Sequence, residues 1–187
     1  MDYNNIHREL VEDCKLGKRQ AQFELYRLYS KAMYNICLRM LKNDMDAEDL
    51  LQNSFVDIFT KLDSFRFQSS VGAWIKRIVV NNCINFLKKR RLEIQELNEQ
   101  ITQQPEPEEE IYIPKFSVES INHALFQLPD GYRVVFTLYL MEGYDHKEIA
   151  EILEISEATS KSQFSRAKKK LREIIRREKQ EERGQIF

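Results

Sequence analysis

Apolar residues recur along this chain at helical intervals. Leu25, Tyr29, Ala32, Ile36 and Met40 follow one another three or four positions apart, as do Leu51, Phe55, Ile58 and Leu62, and later Phe164, Ala167, Leu171 and Ile174. Such spacing lays one apolar stripe along a helix of about 3.6 residues per turn. No segment sustains the two-residue alternation of a half-buried strand, so the pattern predicts an all-α fold. The stripes lapse between Leu92 and Phe116, a Glu-, Gln- and Asn-rich stretch with Pro105, Pro107, Pro114 and the run Glu106-Pro107-Glu108-Glu109-Glu110. Proline removes helix donors and neighbouring carboxylates repel, which predicts a flexible acidic linker over 92–116. Two small helical domains are therefore expected, over 1–91 and 117–187, each needing several helices to close a core.

The 187 residues, 42% apolar, suffice for two such domains. No stretch approaches the roughly 18 uninterrupted apolar residues of a membrane span. The first residues, from Met1 to Glu9, lack the basic-then-apolar order of a secretion signal, and the expected compartment is the cytoplasm. Cys14, Cys37 and Cys83 have no paired spacing and are expected as small core residues rather than metal ligands or disulfides.

The net charge of −1, from 29 basic and 30 acidic residues, argues against nucleic acid only if it is evenly spread. It is not. Residues 44–57 hold five acids and no base, 74–91 six bases and no acid, 92–116 seven Glu and one Lys, and 161–177 eight bases and one Glu. Four blocks of alternating sign point to surfaces with different partners.

The stretch from Gly143 to Leu171 carries the sharpest chemistry. Asp145 is placed to cap a short helix whose apolar residues are Ile149, Ala150, Ile152 and Leu153, and Ser156 to cap a second. Between them falls a tight turn with Ile155 pointing inward. On the second helix Phe164, Ala167 and Leu171 face the core, which leaves Lys161, Ser162, Ser165, Arg166 and Lys169 on the other side. This is the layout of a helix-turn-helix, with Arg166 the candidate for a bidentate guanine contact and Lys168 to Lys170 for phosphate neutralisation.

Together with Leu128-Pro129-Asp130-Gly131-Tyr132-Arg133-Val134-Val135-Phe136 and Glu142-Gly143-Tyr144, this motif resembles the promoter −35-reading domain of bacterial RNA polymerase sigma factors of the extracytoplasmic-function (ECF) branch. Two positions depart from that pattern: Glu154 stands at the turn where the family usually has Gly, and Ser160 replaces an apolar residue. A non-Gly residue in a left-handed turn costs on the order of 1 kcal/mol.

The N-terminal half extends the resemblance. Asp46 to Phe59 is similar to the family's polymerase-binding helix, and the resemblance implies that Glu48, Asp49, Gln52 and Phe55 meet the clamp coiled coil of the β′ subunit. From Phe65 to Arg91 a polar loop leads into a helix with Trp74, Arg77, Asn81 and Asn85 at intervals of three, four and four. Asn81 and Asn85 share a face, where their amides suit base edges. In the family this element separates the −10 strands and captures an extruded base in the preceding loop, here Phe67 to Val71, with Gln68 and Ser69 offering hydrogen bonds. Phe67 and Gln68 stand where many relatives have Gly and Asp. Trp74 is expected as a core anchor that also stacks, and Lys88, Lys89, Arg90 and Arg91 as holders of the phosphate backbone.

The resulting expectation is a sigma factor, non-catalytic and without cofactor or metal, that binds core RNA polymerase through its β′ clamp and β flap and directs it to promoter DNA. The resemblance adds an anti-sigma factor as a partner, and neither a small-molecule substrate nor membrane insertion is expected. The alternative is a free-standing helix-turn-helix regulator, which would bind DNA tightly without polymerase. A nucleic-acid enzyme fares worse: the chain has no Gly-rich phosphate loop, His-Glu-x-x-His pair or nucleophile elbow. His146, after Asp145, reads as a first-turn surface residue.

Overall fold

The computed structural model describes residues 7–90 and 118–184, and every regular element among them is helical. The chain divides into two compact units, Met1–Lys89 and Arg90–Phe187. The expected linker over 92–116 lies outside the described residues, as does Arg91.

In the first unit α1 (Arg8–Lys15), α2 (Arg19–Leu41), α3 (Asp44–Lys61) and α4 (Val71–Lys89) form a bundle in which α2 packs on α1, α3 and α4, and α3 on α4. Most residues of the stripes read from the sequence supply its core, whereas Tyr29 is half-buried and Ala32 exposed. Leu25, Ile36, Met40, Leu51, Ile58 and Leu62 are buried, joined by Ile75, Val79, Val80 and Leu87 from α4. Each such side chain contributes about 1.5–3 kcal/mol by leaving water. Cys14, Cys37 and Cys83 are buried thiols outside any disulfide, with the Cys37 and Cys83 sulfurs 3.8 Å apart between α2 and α4. Burial, with the Asp13 carboxylate adding to it, pushes the Cys14 thiol up to about 11.

Local chemistry sets the helix ends that matter for the site. The Asn43 side chain accepts from the Asp46 N–H at 3.0 Å and starts α3. A single 3₁₀ turn, Leu62–Ser64, closes α3 with Leu62 and Phe65 buried. The Ser70 hydroxyl then accepts from the Ala73 N–H at 3.2 Å at the start of α4. Gly72, in the first turn of α4, lets Tyr29 of α2 come close: a Cβ there would sit 2.9 Å from Tyr29 Cε1.

The second unit holds α5 (Val118–Gln127), α6 (Asp130–Phe136), a π-helical turn (Thr137–Met141), α7 (His146–Leu153) and α8 (Glu157–Gly184). Helices α5, α6 and α7 all pack on α8. Leu125, Leu128, Val134, Val135, Leu138, Ile149, Ala167 and Ile175 fill the core. Arg133 is only 1% exposed, yet its guanidinium is paired with Asp130 and donates to the Leu128 carbonyl at 3.1 Å. A buried charge persists only when paired in this way. The pair locks the Leu128-Pro129-Asp130 corner against α6.

Candidate nucleic-acid and protein interfaces

Helices α7 and α8 make the helix-turn-helix. Asp145 accepts from the Glu148 N–H at 2.7 Å while the Glu148 carboxylate accepts from the Asp145 N–H at 2.8 Å, a reciprocal capping box. Glu154 takes the left-handed turn position, φ 59° and ψ 41°, and its N–H donates to the Ala150 carbonyl. Ile155 is half-buried. Ser156 then accepts from the Thr159 N–H at 3.0 Å and opens α8.

On α8, Phe164, Ala167 and Leu171 are buried, as their register requires. Lys161 and Lys169 are exposed, and Ser165, Arg166 and Lys168 half-buried. The Lys168 ammonium lies 4.8 Å from the Phe164 ring centroid, while Lys161 reaches Glu157 at 2.8 Å. The Lys161 ammonium holds the Glu157 carboxyl below its ordinary range. Ser162 departs from expectation. It is 8% exposed and its hydroxyl donates to the Thr159 carbonyl, so this small side chain is folded back onto the preceding turn and is not presented outward.

Ser160 and His146 form a link that sequence reasoning missed. Ser160 is buried and its hydroxyl lies 2.9 Å from His146 Nδ1, while the imidazole stacks on Tyr139 at 4.3 Å. His146 is therefore half-buried and joins the start of α7 to α8, rather than standing on the surface. A polar residue at position 160 fits here because a polar partner is supplied. Gln163, also on α8, is 1% exposed with neither side-chain atom hydrogen-bonded among the described residues.

In the first unit Arg77, Asn81 and Asn85 are exposed along one face of α4, and Lys88, Lys89 and Arg90 continue it as exposed bases. Asn82 faces the other way, its amide donating to Asp57 at 2.9 Å and Ser54 at 3.1 Å, which ties α4 to α3. The face combines amides that can pair with base edges and cations that can follow phosphates.

The loop before α4 exposes Gln68 and Ser69. Phe67 sits at φ 57°, a left-handed backbone that costs a non-Gly residue on the order of 1 kcal/mol. Its ring packs 4.8 Å from that of Phe65, which lies 5.2 Å from that of the half-buried Trp74. The Arg8 Cζ and Lys15 Nζ lie 4.6 and 4.9 Å from the Phe67 centroid. Each such cation contributes about 0.5–1 kcal/mol at exposed sites.

On α3, Glu48, Asp49 and Gln52 are exposed along one stripe. Phe55 is not: it is 3% exposed and packs edge-on against Tyr26 at 4.7 Å, so as a surface contact it is corrected to a core residue. Met45 and Val56, 75% and 64% exposed, flank the acidic stripe instead. Their position at three- and four-residue steps from Glu48, Asp49 and Gln52 was the available signal.

Residues 25–93 match the family Sigma-70 region 2 and residues 119–171 match Sigma-70, region 4. Among curated relatives, the ECF RNA polymerase sigma factor SigM of Bacillus subtilis is 30% identical over 82% of this chain and 94% of the relative. SigW of the same organism, also an ECF RNA polymerase sigma factor, is 28% identical over 90% of this chain and 96% of the relative. Two solved structures share the fold. The sigma factor RpoE of Bartonella quintana, in complex with the anti-sigma factor NepR, aligns with a TM-score of 0.55 at 24% identity over 82% of this chain and 95% of that one. CnrH, in complex with the cytosolic domain of CnrY, aligns with a TM-score of 0.54 at 23% identity over 90% and 96%.

Proposed function

The chain belongs to the ECF family of RNA polymerase sigma factors, and from that premise we propose which of its surfaces meets polymerase and which reads the promoter. As a sigma factor it directs RNA polymerase to initiate transcription. The exposed acidic stripe of α3, Glu48, Asp49 and Gln52 with Met45 and Val56 at its ends, docks on a basic surface of the β′ clamp. The α4 face of Arg77, Asn81 and Asn85 engages the melted −10 element, Lys88, Lys89 and Arg90 hold its backbone, and the loop bearing Gln68 and Ser69 takes in an extruded base. Lys161, Ser165, Arg166 and Lys169 enter the −35 major groove, with Lys168 on phosphate. The second domain also meets the β flap.

The observation that carries this assignment is the coincidence on α8 of a capped start, a buried apolar register and an exposed basic side. Strand separation then draws on base capture, and no catalytic chemistry by this chain is required. Its work lies in the cytoplasm, where polymerase and promoter meet; among the described residues no helix is long and apolar enough to cross a membrane. An anti-sigma factor, the partner named for the RpoE structure, belongs to the same reading.

Run-off transcription from a randomised promoter library with purified core enzyme tests the assignment. Selection of both a −35 and a −10 sequence is expected only when core enzyme is present. Arg166→Ala should relax the −35 preference, and an unchanged preference would remove Arg166 from readout. Asp49→Arg should abolish core binding in a pull-down with an unchanged circular dichroism spectrum. Tight sequence-specific binding by the isolated protein would favour a free-standing regulator.

A further inference from the structure

The loop over residues 65–70 is held by a helix that plays no part in the reading so far. Lys15, at the end of α1, has a side chain only 16% exposed, so that side chain has given up most of its contact with water. In exchange it donates to the Phe65 carbonyl at 3.2 Å, pairs with Glu12 at 3.3 Å and stands over the Phe67 ring. Arg8, two turns earlier on the same helix, brings its guanidinium over that ring as well. Phe67 is also where the backbone is strained, and a strained residue persists only when its surroundings hold it. From the ring the contact continues through Phe65 to Trp74 in the first turns of α4. Gln68 and Ser69 follow Phe67 directly, so the direction in which they project is set by that one residue.

We propose that Arg8 and Lys15 are positioning residues for promoter opening: they clamp the Phe67 ring and so hold the 65–70 loop in the conformation that presents Gln68 and Ser69 to an extruded base. A glycine at 67 would adopt the same backbone without help. The phenylalanine gives α1 something to grip, and it makes the loop depend on a helix some fifty positions earlier in the chain. The inference rests on the loop being the base-capturing element.

Two readouts separate the clamp from that premise. In the full-length protein, trypsin cleavage after the exposed Arg66 reports loop opening, and emission of Trp74, the single tryptophan, reports displacement of Phe65. Lys15→Met should raise the cleavage rate by about tenfold and shift the emission, and Lys15→Arg should restore both, because local opening governs such cleavage. Arg8→Met, on an exposed side chain, gives a smaller change in the same direction and serves should Lys15→Met fail to fold. In reconstituted holoenzyme with the randomised library, both Met variants should lose discrimination at one −10 position by about threefold or more, with −35 preference retained. Unchanged cleavage and emission would overturn the clamp. A loosened loop with unchanged −10 discrimination would overturn the positioning role and locate the error in the base-capture premise. If the wild-type holoenzyme itself selects no −10 base, the premise fails whatever the state of the loop.

Discussion

Helices α4 and α8 are both entered through a turn with a non-glycine residue at positive φ, Phe67 ahead of α4 and Glu154 ahead of α8, and the two turns are held in different ways. The Glu154 turn is closed by its neighbours. The Glu154 and Ile155 N–H groups both donate to the Ala150 carbonyl, the capping box fixes the start of α7, and Ser156 fixes the start of α8. The Phe67 turn leans on α1, through Lys15 and Arg8. A locally closed turn keeps its geometry as long as its own helices persist. One held from a distant helix moves when that helix moves, which would suit the base capture proposed for the 65–70 loop and would poorly suit the groove entry proposed for α8.

Perturbations of graded size test this contrast. The largest effect is expected from Arg133→Met, which leaves Asp130 without its partner in the locally braced unit; breaking a buried pair costs about 3–5 kcal/mol. Thermal unfolding should show that loss in the C-terminal unit alone, and an equal loss in both would end the separation between them. Asp145→Ala removes the side-chain half of the capping box, the carboxylate that accepts from the Glu148 N–H, and should cost about 1 kcal/mol in denaturant unfolding, with weaker −35 binding. Gln163→Met, which replaces a buried amide without a hydrogen-bond partner among the described residues, should stabilise the same unit by about 1 kcal/mol and leave its circular dichroism spectrum unchanged. The smallest effects discriminate most sharply. Glu154→Gly should stabilise by up to about 1 kcal/mol, whereas Phe67→Gly, which relieves the same strain but discards the ring contacts, should bring no gain. Equal gains at both positions would erase the distinction between the turns.

The same contrast explains what the sequence made legible. Asp145 and Ser156 act within three residues of themselves, and the buried register of Phe164, Ala167 and Leu171 follows from helical spacing alone, so these were readable in advance. The left-handed turn at Glu154 was readable through the family resemblance, which puts Gly at that position. What escaped was tertiary. Ser162 lies in a run of polar residues, and only the structure shows its hydroxyl turned back to Thr159. Phe55 stood on the apolar stripe of Leu51 and Ile58 from the outset, and what escaped was that its contact with Tyr26 removes it from the polymerase face and leaves Val56 on the surface. Ser160 with His146, and Lys15 with Phe65 and Phe67, pair residues whose separation along the chain carries no periodic signal.

The placement of the three cysteines gives the protein an internal clock. All lie in the N-terminal unit; Cys37 and Cys83 are sealed between α2 and α4, and burial keeps the Cys14 thiol protonated well beyond neutral pH. An alkylating reagent attacks thiolates, so it reaches these sulfurs only in the moments when the bundle parts. The rate of labelling in native buffer therefore measures how often the N-terminal unit opens, while the cysteine-free C-terminal unit stays silent in the same tube. Because that signal comes from one unit only, a bound partner that slows it has stiffened that unit, whichever other surfaces it also covers.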